Sequence, residues 1–364
     1  MALRIEKRSD LPRWQLIAGP VASVALALLL GAVLLALTGH NPLATYSSML
    51  QGSVGNTRML AQTVVRSIPL ALCALGVGLA MRMQLWNIGA EGQLALGAIA
   101  AGWLALFHPQ LPPVLMLPGM FILGFIAGGL WAVLAVLPRV FWGISEIMTT
   151  LMLNYVAILL LQYLVHGPWR DPRLIGFPLS AVFPAAAALP ILGNSAIHLG
   201  LVLAVVCAVA IQIAMGRTTW GYEITVTGES ARAARYAGMN VVRNILLVMF
   251  LSGGLAGLAG MVEVSGVIHR LQETVTPGTG YSAIIIASLA RRDPIATLLI
   301  SFLFGSLVVG GYAIQSAGVS ASLASMLQGA ILLFVLGSEF FTHYRVHWIQ
   351  TDSHAAAKQP ETRR

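Results

Sequence analysis

Long apolar runs separated by short polar gaps dominate the chain. A run of about 20 apolar residues suits a helix that crosses a bilayer. Continuous runs such as the one from Val21 to Leu37 exclude the alternating segments of about 10 residues that mark a transmembrane β-barrel. The pattern predicts full-length spans over 14–37, 62–81, 89–107, 114–137, 144–165, 197–215, 245–268, 295–312 and 323–341. Proline punctuates them, since it lacks an amide donor and clashes with the preceding helical turn. Pro109, Pro112 and Pro113 end the third span, and Pro138 stops the fourth. Two polar stretches interrupt the series, a proline-rich loop over 167–194 and a segment over 216–244.

Residues 281–290 are apolar but short. At 1.5 Å per residue they cover roughly 15 Å, half the hydrocarbon core. They lie between Pro277–Gly280 and Arg291-Arg292-Asp293-Pro294, which predicts a half-helix entered through irregular backbone. Such backbone persists at membrane depth only where it is buried in protein or lines a cavity. Counting it gives an all-α integral membrane chain of about ten elements, whose even number of crossings puts both termini on one side. Of the 21 Lys and Arg residues, Arg58, Arg66, Arg170, Arg173 and Arg270 fall on one side of this arrangement and the other 16 on the opposite side. Basic residues favour the cytoplasmic side, so both termini are predicted cytoplasmic. The interruptions at Trp86–Gly89 and Pro277–Gly280 occupy corresponding places in two halves, as in repeat-built transporters.

Composition narrows the class. The 364 residues are 57% hydrophobic and 9% charged, against about 25% charged in a soluble domain. This excludes an ordinary soluble enzyme, a disordered regulator and a coiled coil. A net charge of +8 would suggest nucleic acid in a soluble chain. Here the basic residues sit between apolar runs and report topology, so the lipid bilayer, not nucleic acid, is the expected surroundings. Arg4, Lys7, Arg8 and Arg13 precede the first run as in a signal peptide. That run is too long for an h-region and no clear cleavage site follows, so it is expected to be an uncleaved span. The expected organisation is a cytoplasmic tail over 1–13, a membrane domain over 14–345 that includes the cytoplasmic segment 216–244, and a cytoplasmic tail over 346–364. Cys73 and Cys207 lie inside apolar runs without metal or disulfide spacing.

The strongest local signal is Asn87-Ile88-Gly89-Ala90-Glu91-Gly92-Gln93. It sets two amides and a carboxylate between apolar runs. A carboxylate at membrane depth is costly and normally faces a cavity or a partner. A broken helix beside a translocation path accounts for it, and so does a surface loop with Glu91 solvated. Glu146 and Asn154 share one helix face with Thr150 midway. Such a stripe looks inward, either to a path or to neighbouring helices through hydrogen bonds. Glu263 follows Gly253, Gly254, Gly257 and Gly260, which suit close helix packing, and is a further pore-facing candidate. Within 216–244, Thr227 or Gly228 as cap, Glu229 in the first turn and Gly238 just past the end predict one short helix. It is either a linker or a docking element for a cytoplasmic partner.

No G-x-x-x-x-G-K-[ST] loop occurs, so the chain cannot hydrolyse ATP by a P-loop. No His or Cys cluster has metal spacing, and no Ser/His/Asp arrangement stands out. The chain is expected to carry no catalytic residues, no metal and no cofactor of its own, and not to be an enzyme. An ion-coupled secondary transporter stays open, with Glu91, Glu146 and Glu263 as proton or ion sites.

These motifs resemble the permease subunits of bacterial ATP-binding-cassette (ABC) importers for ribose, branched-chain amino acids and nucleosides. The segment Leu85–Gln93 is similar to the family signature. Ser145–Tyr155 and Gly228–Asn240, with Arg235-Tyr236-Ala237-Gly238, resemble the nucleoside-type branch. Ser282–Gly311, with Asp293-Pro294, matches a further family pattern, and the similarity covers roughly 60–335. The resemblance implies the type II importer fold in the bacterial cytoplasmic (inner) membrane. It implies ATP-driven import of nucleosides or related small polar solutes, with simple sugars or branched-chain amino acids as alternatives. The implied partners are separate ABC ATPase subunits that carry ATP-Mg, a second permease subunit in a homo- or heterodimer, and an extracytoplasmic substrate-binding protein. Asn87, Glu91, Gln93, Glu146, Asn154 and Glu263 become candidates for the translocation path or its gate. Glu229, Ser230, Arg232, Arg235, Tyr236 and Gly238 become candidates for the coupling helix that docks on the ATPase.

Overall fold

A computed structural model describes residues 2–7 and 13–349, apart from 175, 194, 276 and 321. The tail expected over 346–364 therefore lies mostly outside the described residues, as does most of 1–13 beyond 2–7. In chain order the helices are α1 (Arg13–Leu37), α2 (Pro42–Val54), α3 (Thr57–Arg82), α4 (Ala90–Phe107), α5 (Pro113–Trp142), α6 (Glu146–His166) and α7 (Gly200–Arg217). They continue with α8 (Thr219–Glu229), α9 (Ala231–Tyr236), α10 (Val241–Glu263), α11 (Thr279–Leu289), α12 (Pro294–Ala313) and α13 (Ser322–His343). Each predicted span coincides with a helix, and the predicted half-helix is α11, whose 11 residues reach about 16 Å. Among the described residues, α3, α4, α5, α6, α7, α10 and α12 are long and apolar enough to cross a membrane. The pair α1 and α2 meets the same test only together, across a 117° bend.

Three expectations need correction. Pro138 does not stop the fourth span. α5 runs through it for 30 residues and ends at Gly143, which takes a left-handed φ of 69° and donates its amide to the Arg139 carbonyl. A proline inside an apolar helix loses one amide bond, and the packed neighbours supply what the backbone lacks. Helix α2 was not foreseen, although Asn41-Pro42 carries its start: Asn41 Oδ1 accepts from the Leu43 and Ala44 amides, and proline suits the first helical position. The segment 216–244 holds two helices rather than one. Thr227, Gly228 and Glu229 form the last turn of α8, and Ser230 caps α9 by accepting from the Ala233 amide at 3.2 Å. Gly238 does take the left-handed conformation just past the end, with φ 78°.

The centre of the bundle is α3, α4 and α10, with α5 packed against α4 and α10. Small residues let the backbones touch. A Cβ on Gly97 of α4 would lie 2.2 Å from the Gly257 carbonyl oxygen of α10, and one on Gly260 would lie 2.0 Å from the Leu94 carbonyl oxygen. Such contacts are the usual glue of helices in lipid. The outward faces of α5, α6 and α7 are apolar, with Val114, Leu115, Ile122, Met148, Leu159 and Val206 exposed. Continuous exposed apolar surface of this kind belongs in a membrane, and the chain is a multi-pass membrane protein.

A segment near each terminus pairs with the other. Strand β1 (Ala2–Lys7) pairs antiparallel with β2 (Tyr344–Ile349), with Ala2 opposite Ile349. The Ser23 hydroxyl of α1 donates to the Phe334 carbonyl of α13 at 3.0 Å.

Candidate functional site

The chain between α3 and α4, residues 83–89, is irregular backbone that buries Leu85 and Asn87 and leaves Gln84 and Trp86 exposed. Leu85 and Asn87 are each about 1% exposed. The polar side chains of the signature stretch, Asn87, Glu91 and Gln93, all find partners here. The Asn87 and Gln93 amides bond each other reciprocally, 2.8 Å in both directions, and Asn87 Nδ2 also donates to Ser252 Oγ of α10 at 2.8 Å. That pairing folds the break back against the start of α4 and pins it to α10.

The first turn of a helix leaves four amides without intrahelical acceptors. At α4 no side chain of its own caps them. Asn154 of α6 supplies the acceptor: its Oδ1 takes the Gly92 amide at 2.8 Å, while its Nδ2 donates to the Ile88 carbonyl at 2.7 Å. The half-helix α11 is capped in the same way from outside. Glu91 of α4 takes the Gly278 amide on Oε1 at 2.8 Å and the Gly280 amide on Oε2 at 2.5 Å. A carboxylate there is also favoured by the positive end of the helix dipole. Gly280 has to be glycine, because a Cβ would lie 2.3 Å from the Glu91 amide nitrogen. Two helices that begin inside the protein thus receive their caps from neighbouring elements.

Glu146 sits beside this arrangement at the start of α6. It accepts from the Trp86 amide at 3.2 Å and pairs with Arg139 of α5. Glu263 stands apart, at the end of α10 just before a π-helical stretch, Val264–Ile268. It is 4% exposed and pairs with Arg66 of α3 at 2.8 Å. The structure therefore gathers Asn87, Glu91, Gln93, Glu146 and Asn154 around one break and leaves Glu263 at a second location, paired with Arg66 of α3. The surface-loop reading of Glu91 does not hold, since its side chain is buried.

Ser252, Arg66 and Tyr281, whose hydroxyl accepts from Asn154 Nδ2 at 3.4 Å, were not foreseen as partners. Arg66 had a readable signal, because an arginine inside a predicted span marks a functional site by default. Ser252 and Tyr281 had none, as their roles depend on how distant helices meet.

The side chains expected to couple to an ATPase lie on the surface. Glu229, Ser230, Arg232, Arg235 and Tyr236 are all exposed, Tyr236 at 91%. Ala234 is buried beneath them. α8 is held against the membrane helices at two points. A Cβ on Gly228 would lie 2.1 Å from the Arg82 carbonyl oxygen at the end of α3, and Glu223 accepts from Asn244 Nδ2 of α10 at 2.9 Å.

Comparison with known proteins adds the following. Residues 59–336 match the family model described as branched-chain amino acid transport system / permease component. The glucose ABC transporter permease protein TsgB13 of Haloferax volcanii is 37% identical over 94% of this chain and 93% of its own length. The nucleoside ABC transporter permease protein NupB of Lactococcus lactis is 29% identical over 87% of this chain and 89% of its own. Among solved structures, PsaBC from Streptococcus pneumoniae in complex with Fab aligns at a TM-score of 0.44 and 14% identity, covering 80% of this chain and 95% of that one.

Proposed function

We infer, on the premise that this chain belongs to the branched-chain amino acid transport system / permease component family, that it is the membrane permease subunit of an ATP-driven importer for nucleosides or simple sugars. The substrate range follows the relatives, which carry glucose and nucleosides by name. The chain forms the path, and the ATP-Mg chemistry resides on separate ABC ATPase subunits. A second permease subunit, identical or related, and an extracytoplasmic substrate-binding protein complete the assembly in the cytoplasmic membrane, with both termini inside. The pairing of β1 with β2 and the skew of basic residues support that orientation.

The observation that carries the reading is the half-helix α11, whose first amides at Gly278 and Gly280 are capped by Glu91 of the neighbouring helix α4. Broken helices whose ends meet in the bundle interior are how transporters build a path. In this reading Asn87, Gln93, Asn154 and Glu146 hold the walls of the path in register, and Glu91 and Glu263 flank its mobile element. Nucleotide-driven closure of the ATPases pushes on the exposed face of α9. The contact of α8 with the ends of α3 and α10 passes that motion to the break, and access switches from one side to the other. The bundle moves solute without any covalent step. Gentle purification of the tagged chain from its native membranes tests the assembly. A P-loop ATPase in the eluate supports it, and a chain that emerges alone and transports without ATP contradicts it.

A further inference from the structure

Two cavities meet at Arg66. The smaller holds about 260 Å³ and the larger about 530 Å³, and Arg66 and Tyr312 line both. The smaller lies at the N-terminal end of α11. Thr279 and Ser282 of that helix, Tyr312 of α12 and Ser325 of α13 surround the Arg66–Glu263 pair.

We propose that this cavity is the binding subsite for an uncharged polyhydroxylated ring, a hexose or the ribose of a nucleoside. The proposal rests on the permease reading above and adds to it the residues and the chemical class. The ion pair is closed at 2.8 Å and neutral overall. Its unused guanidinium N–H groups and second carboxylate oxygen still present donors and acceptors in fixed directions. The hydroxyls of Thr279, Tyr312 and Ser325 on its lining can each act as donor or acceptor, as the vicinal hydroxyls of a sugar ring require. Leu70 and Val308 give the cavity an apolar wall suited to ring C–H groups. Its volume is near the lower end of ligand sites, roughly 300–1,000 Å³, enough for one ring. An aliphatic amino acid side chain such as that of leucine would leave these hydroxyls without partners, which disfavours it against a sugar ring. Glu263 also precedes a π-helical turn, a feature frequent at functional sites.

The test is equilibrium binding to the purified transporter complex without its binding protein, using labelled glucose, adenosine and leucine. The wild-type complex is expected to bind glucose or adenosine and not leucine. The double substitution Arg66→Gln/Glu263→Gln keeps a hydrogen-bonding pair but removes the charges, and it is expected to weaken binding at least about ten-fold. Tyr312→Phe, on an exposed residue whose loss spares the fold, removes one lining hydroxyl and is expected to weaken it several-fold. Wild-type binding of leucine in preference, binding of neither sugar-bearing probe, or unchanged affinity in both variants overturns the subsite. A chain that purifies without an ATPase instead overturns the permease reading on which it rests.

Discussion

Glu91 and Gly278 lie 187 residues apart in the chain and are joined by a 2.8 Å hydrogen bond from the Gly278 amide to Glu91 Oε1. With the second bond from Gly280, this carboxylate is the N-terminal cap of the half-helix α11. Removing it strands two amides away from water, each costing about 1–3 kcal/mol. Glu91→Ala is therefore expected to abolish most uptake while the complex still assembles. Glu91→Gln, which keeps one acceptor oxygen, should retain part of it. Uptake assays on the two variants, with co-purification of the ATPase as the assembly control, check the order. Wild-type uptake in Glu91→Ala removes Glu91 from the path.

Asn154 caps α4 as Glu91 caps α11. Asn154→Ala loses the acceptor for the Gly92 amide and the donor to the Ile88 carbonyl. A lost cap costs about 1–2 kcal/mol, so a lower unfolding temperature of the purified chain is expected. Asn154→Asp keeps the acceptor but sets a buried carboxylate oxygen against the Ile88 carbonyl, and should lose at least as much. Equal melting of both variants with the wild type would show that the bonds contribute nothing.

Close backbone contact at Gly97 and Gly257 makes a steric prediction. Gly97→Val places side-chain atoms where the Gly257 carbonyl already sits, 2.2 Å from the new Cβ. Overpacking of this kind costs about 1–3 kcal/mol or more, and here the obstacle is backbone. The folded yield in membranes is expected to fall sharply, as measured by fluorescence-detected gel filtration. Gly216→Val has open space around it and should leave the yield unchanged.

The exposed face of α9 predicts a separation of folding from coupling. Arg235→Glu and Tyr236→Ala alter side chains that contribute nothing to the bundle core, so folded yield should match the wild type. Capture of the ATPase and ATP-dependent uptake should both fall several-fold. Undiminished capture in the pair of variants would move the docking surface elsewhere.

Much of this architecture was legible because lipid imposes a single rule, long apolar runs, on every crossing helix. The half-helix α11 was readable for the same reason, being too short for its hydrophobicity. Helix α2 escaped because its polar residues, Thr45, Ser47 and Ser48 among them, break the apolar run, and only the Asn41-Pro42 cap marks it. Pro138 misled because a proline stops a helix reliably only where no packed neighbour takes up the freed backbone. At the site, residue types and their inward direction were readable, and the partners were not. That Glu91 meets Gly278, Asn154 meets Gly92 and Glu263 meets Arg66 follows from how distant helices pack. A single sequence carries no local trace of those meetings.

The most direct measurement is uptake by proteoliposomes that hold this chain with its ATPase and paired permease, ATP inside, and the binding protein loaded with labelled glucose or guanosine outside. Accumulation that requires internal ATP and stops when the ATPase is omitted is the predicted result. Accumulation by this chain alone, driven by a proton gradient and indifferent to ATP, would contradict it and return Glu91, Glu146 and Glu263 to the role of ion-coupling sites.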